Sequence, residues 1–74
     1  MDRLTNVFRD VLNRPDLEIG DLVRDDFSAW DSLAHVKLVI SIEEEFGIQF
    51  TIDQVANTRS VKEFRELIAR QKVI

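Results

Sequence analysis

Apolar residues recur along the chain with two distinct periods. Leu4, Val7, Phe8, Val11 and Leu12 fall at i, i+3, i+4, i+7 and i+8, which is one face of a 3.6-residue helix. Arg14 precedes Pro15 and is pushed out of helical geometry, so the first helix should stop there. A second helix is predicted from about Ser32 to Phe46, closed by Gly47 in a left-handed conformation. Ile48 and Phe50 alternate with Gln49 and can both point inward from an extended link. Thr51 through Gln54 and Ser60 through Glu63 each match the capping pattern S/T-x-x-E/Q, which predicts a short third helix and a last helix. The last helix has Val61, Phe64, Leu67 and Ile68 on its core face. Residues 15–31 form a long connection in which Leu17, Ile19, Leu22, Val23, Phe27 and Trp30 can anchor the loop across the helices. The expected fold is all-α: a small four-helix bundle with three main helices, a short third helix and a long first loop, in one domain over residues 1–74.

The second helix carries two apolar stripes. Leu38, Ile42, Phe46, Val39 and His35 gather within about 100° of one another and make a core face. Leu33, Val36 and Ile40 fall on a different stripe, beside Lys37, Glu43 and Glu44. The second stripe is either overflow of the core or a partner-binding surface.

Composition limits the chemistry. The 74 residues are 45% hydrophobic and 32% charged, with no cysteine and one histidine, His35. A disulfide framework and a structural zinc site are excluded. A chain this short cannot enclose a deep cleft and also build a large core. No uncharged run approaches the ~20 residues of a membrane helix. The start Met1-Asp2-Arg3-Leu4 lacks the layout of a secretory leader, so the expected location is cytoplasmic. The net charge is −4, unevenly spread: residues 15–31 hold six acids against Arg24 alone, a net of −5. Nucleic acid and membrane are not expected partners, and a basic protein surface is. A monomer is expected.

Some charged clusters have ordinary readings. Asp25-Asp26 reads as a solvated acidic turn, with a divalent cation as the alternative. Glu43, Glu44 and Glu45 point about 100° apart and do not converge on one site. Lys62, Arg65, Arg70 and Lys72 interleave with Glu63 and Glu66 as helical charge pairs. No metal site and no nucleophile–base–acid set is expected.

Ser32 lies in Trp30-Asp31-Ser32-Leu33, where the acidic loop meets the second helix. Asp31 or Ser32 could serve simply as the N-cap. Alternatively the Ser32 hydroxyl is a modification site, because a phosphate ester there would face free backbone N–H groups and the positive end of the helix dipole. The motif supplies no base to activate the serine, so Ser32 is a substrate of another enzyme, not a nucleophilic catalyst.

Asp31-Ser32-Leu33, followed by Glu43-Glu44-Glu45-Phe46-Gly47-Ile48, resembles an acyl carrier protein. The similarity covers nearly the whole chain, in the order of helix, long loop, Asp-Ser-Leu helix start, Glu-rich helix end and short third helix. It implies that Ser32 bears a 4′-phosphopantetheine arm, attached as a phosphodiester by a phosphopantetheinyl transferase from coenzyme A. Acyl or aminoacyl groups would ride on the arm's thiol as thioesters, between loading and condensing or transferring enzymes of a fatty-acid, polyketide or other specialised pathway. The resemblance assigns Asp31, Leu33, Val36, Lys37 and Ile40 to the partner-contact surface. Carriers of fatty-acid synthesis usually have acids where this chain has Ala34 and Lys37, so some partners should be excluded. Trp30 before the motif resembles freestanding carriers of specialised clusters, and it can equally be a loop anchor. His35 is read as a core histidine satisfied by a carbonyl or water, with contact to the arm or its cargo as the alternative. Two other functions compete: an unmodified helical interaction module in which Ser32 is only a cap, and a minimal acid/base catalyst pairing His35 with Asp31.

Overall fold

Helix α1 spans Arg3–Leu12, α2 Ser32–Phe46, α3 Ile52–Asn57 and α4 Val61–Lys72, with a 3-10 turn at Arg24–Asp26 in the long connection. This computed structural model describes residues 3–72, the side chain of Lys72 excepted. Met1, Asp2 and the Lys72 side chain therefore lie outside the described residues. Among the described residues the fold is all-α; β pairing is confined to an isolated antiparallel bridge between Val23 and Ser60.

Helix ends are set by local chemistry. The first helix stops at Leu12, two residues before the expected Arg14. Asn13 adopts a left-handed φ of 55°, a conformation asparagine tolerates better than most residues. Its N–H then bonds Asp10 O at 3.3 Å, and Arg14 N–H bonds Arg9 O at 3.0 Å, so two terminal carbonyls are satisfied before Pro15 is reached. Helix α2 ends as expected, at Gly47 with φ 66°. Both Gly47 and Ile48 donate to Glu43 O there. The Thr51–Gln54 capping box closes in both directions and opens α3. The second box is only half formed. Ser60 Oγ accepts from Glu63 N at 3.2 Å, but Glu63 Oε1 reaches the N–H of Arg59, one residue before the expected Ser60.

The core joins Leu4, Val7, Phe8 and Leu12 of α1 to Leu38, Val39 and Ile42 of α2 and to Val61 and Phe64 of α4. Trp30 sits in the middle at 1% exposure. It meets Phe8 edge-on at 5.2 Å between ring centroids and stacks on Phe64 at 6.2 Å. Its anchoring role for the loop is therefore direct. Ile19 is buried as well, while Leu17, Leu22 and Phe27 pack half-buried against the same core. Ile48 is buried, and Phe46, Phe50 and Ile68 pack half-buried against the same core. The loop is also strapped to the start of α4: Arg24 N donates to Arg59 O at 2.8 Å and Val61 N to Leu22 O at 3.1 Å. These two bonds fix the 3-10 turn over the end of the bundle where α2 begins.

Candidate functional site

The junction of the loop with α2 separates the two capping candidates. Asp31 is extended, with φ −87° and ψ −171°, and its Oδ1 accepts from Ala34 N at 2.9 Å. It is the N-cap. Ser32 is already the first helical residue, so the reading in which Ser32 is only a cap is corrected: extended backbone at Asp31 puts the carboxylate, and not the hydroxyl, over the free N–H groups. Ser32 is exposed. Its Oγ accepts a hydrogen bond from Arg24 Nη2 at 3.2 Å, and Arg24 Nε donates to Trp30 O at 3.3 Å.

Arg24 is the residue that sequence reasoning passed over. Its signal was present, since it is the lone cation of the acidic 15–31 segment. Spacing alone could not bring it to Ser32, eight residues away across a loop without periodicity. The strap to Arg59 does so. Next to it, Asp25 is exposed and ion-pairs with Arg59. The hydrogen bond from Arg59, and then its charge, holds the Asp25 carboxyl below its ordinary value. The acidic turn is thus partly neutralised by a partner from the α3–α4 link. No group of three or more potential ligands that could hold a metal ion occurs among the described residues.

His35 is buried at 6% exposure. Trp30 Nε1 donates to His35 Nδ1 at 3.0 Å, and His35 Nε2 lies 2.8 Å from Val55 O. An indole N–H can only donate, so Nδ1 is the acceptor and the ring proton sits on Nε2, donated to Val55. Both nitrogens are occupied, as the core reading expected for one of them. Neither is left for acid/base work with Asp31, whose Oδ1 is itself engaged as the cap. The imidazole instead links the loop, α2 and α3.

The outer stripe of α2 is uncovered. Leu33 is 64% exposed, Val36 51% and Ile40 50%, and Lys37 is exposed among them. These four lie within about 100° around the helix, so the stripe is surface and not overflow of the core. Ala34 behaves otherwise: it is buried against the core, so its side chain does not lie on the exposed stripe, and the missing charge there reduces to Lys37. The acidic run ending α2 is more than solvated surface. Glu43 Oε2 accepts from Phe50 N at 2.9 Å. Glu45 pairs with Arg3, whose guanidinium also lies 5.1 Å from the Phe46 ring centre.

The family described as the phosphopantetheine attachment site matches residues 2–68 of the chain. A solved structure from Mycobacterium tuberculosis, described as a candidate acyl carrier protein, superposes with a TM-score of 0.83. It is 23% identical, and the alignment covers 92% of each chain. At that identity the likeness speaks for the fold. No sequence among the curated proteins matches the chain.

Proposed function

The chain belongs to the phosphopantetheine attachment site family, and from that premise we propose that Ser32 is the attachment point of a 4′-phosphopantetheine arm in a dedicated acyl carrier protein. The group supplies a terminal thiol on which acyl or aminoacyl cargo is held as a thioester. The observation that carries this reading is the state of Ser32. It is exposed at the start of a 15-residue helix, relieved of capping duty by Asp31, and has a guanidinium against its oxygen. An anionic phosphodiester fits that donor set, because a charged donor favours an anionic acceptor over a neutral hydroxyl.

In this reading the protein contributes presentation. Asp31 caps α2 and fixes the direction in which Ser32 leaves the helix. Leu33, Val36 and Ile40 offer an apolar strip for a docking enzyme, with Asp31 and Lys37 as charges at its edge. Partners are a phosphopantetheinyl transferase, then loading and condensing or transferring enzymes. The chain is their substrate and carries out no turnover itself. Lys37 in the exposed stripe supports partners other than those of fatty-acid synthesis, in a polyketide or other specialised pathway.

The test is intact mass after incubating the apo protein with coenzyme A and a broad-specificity phosphopantetheinyl transferase. One phosphopantetheine adduct is expected on the wild type and none on Ser32→Ala. Failure of the folded wild type to accept the arm from several transferases would sink the proposal.

A further inference from the structure

Arg24 stands out among the cations of the chain by its surroundings. The segment around it has a net charge of −5, yet among the described residues no carboxylate hydrogen-bonds its guanidinium. Asp25 feels its charge but is hydrogen-bonded to Arg59, and Asp31 is committed to Ala34 N. The two hydrogen bonds Arg24 does make from its side chain end on neutral oxygens, Trp30 O and Ser32 Oγ. A guanidinium has five N–H donors and a permanent charge, so most of its capacity for an anion is unspent.

Its backbone is held on both sides. Arg24 N–H is tied to Arg59 O at 2.8 Å, and Arg24 O accepts from Phe27 N at 3.1 Å. Trp30, whose carbonyl steadies Nε, is 1% exposed and anchored through its own Nε1 to His35. The guanidinium fork therefore has Nη2 on the one oxygen that modification would esterify and Nε on Trp30 O. In such an ester the anionic oxygens lie two bonds beyond Oγ, within the sphere the fork already serves. A diester placed here without a counter-charge would sit in the most acidic part of the chain. We infer that Arg24 is a positioning residue that pairs with the phosphodiester of an arm on Ser32 and holds the root of the arm at the loop–helix junction. The inference rests on the reading that Ser32 carries the arm.

The experiment separates the two. Holo protein is prepared with coenzyme A and transferase and checked by intact mass; no adduct on folded wild type ends the carrier reading and this inference with it. With the adduct in hand, the Arg24 Nε–H resonance, assigned through the backbone, is compared in apo and holo wild type. It should move on modification and return toward the apo position as sodium chloride is raised from about 0.05 to about 1 M, where the Debye length falls to ~3 Å. The phosphorus-31 resonance of holo Arg24→Gln should shift to that of the urea-unfolded holo protein, with Arg24→Lys between, because lysine keeps the charge and loses the fork. An Arg24 Nε–H signal indifferent to modification, or the same phosphorus shift in wild type and Arg24→Gln, overturns the clasp while leaving the carrier intact. If Arg24→Gln does not fold, the wild-type apo–holo comparison decides alone.

Discussion

Truncating His35 to alanine should remove most of the stability of this chain. Trp30 Nε1 loses its acceptor at 3.0 Å and, at 1% exposure, cannot reach water instead. A buried donor left unpaired costs about 1–3 kcal/mol. Val55 O loses a donor at 2.8 Å. Val55 is half-buried, so its carbonyl can rehydrate and the loss there falls near the lower end, about 1 kcal/mol. The void left by the ring adds on the order of 1–2 kcal/mol. The total, about 3–6 kcal/mol, matches or exceeds the ~3–5 kcal/mol that a single core of this size supplies. Urea unfolding followed by fluorescence is a direct assay, because Trp30 is the one tryptophan of the chain. With a slope of about 1 kcal/mol per molar urea, the midpoint should fall by about 3 M or more, leaving His35→Ala largely unfolded in buffer. His35→Gln, which offers an amide acceptor and donor in place of the two ring nitrogens, should lose less than half as much. An alanine variant whose midpoint lies within about 0.5 M of wild type would refute the linked hydrogen bonds as a structural strut.

Three further outcomes follow from the same structure. Asp31→Ala should lower stability by about 0.5–2 kcal/mol, the usual loss of an N-cap, whereas Ser32→Ala should melt as wild type does; a larger loss at Ser32 would reverse the cap assignment. Lys37→Glu lies on an exposed stripe and should change stability by less than about 0.5 kcal/mol, yet raise kcat/KM with fatty-acid enzymes in a salt-sensitive way; unchanged kinetics would remove Lys37 as a determinant of partner choice. Asp25, held below its ordinary pKa of 3.8 by Arg59, contributes stability that is present above that value and lost as pH falls through the lower folded-state value. Urea midpoints of wild type and Asp25→Asn should therefore differ slightly at neutral pH and low salt and converge in strong acid; a gap that persists in acid would point to something other than this exposed pair.

The parts of the molecule legible in advance are those set by residues close in sequence. The bounds of α2 at Ser32 and Phe46, the left-handed stop at Gly47 and the Thr51–Gln54 box depend on hydrogen bonds spanning five residues or fewer and on a 3.6-residue period. The inner face of α2 followed from the same period, and Leu38, Val39 and Ile42 are all buried. Even here competition between neighbours can mislead. Asn13 ended α1 before Pro15 could, because a left-handed residue satisfies the last carbonyls as soon as the chain turns.

Other features depend on where distant segments come together, and only the folded chain decides them. Asp31 and Ser32 are both competent caps in isolation, and the anchored Trp30 beside them sits in a loop whose path sets Asp31 extended and Ser32 helical. The Leu33–Val36–Ile40 stripe reads as core or surface with equal ease until the placement of α1, α3 and α4 leaves it bare. His35 could be assigned to the inner face, but its partners come from the preceding loop and from α3. Arg24 has no periodic reason to meet Ser32; a backbone bond to Arg59, 35 residues away, delivers it there. Helices are written in nearest-neighbour preferences, whereas the surroundings of Ser32 are built from side chains that share no element and meet only after the loop is pinned.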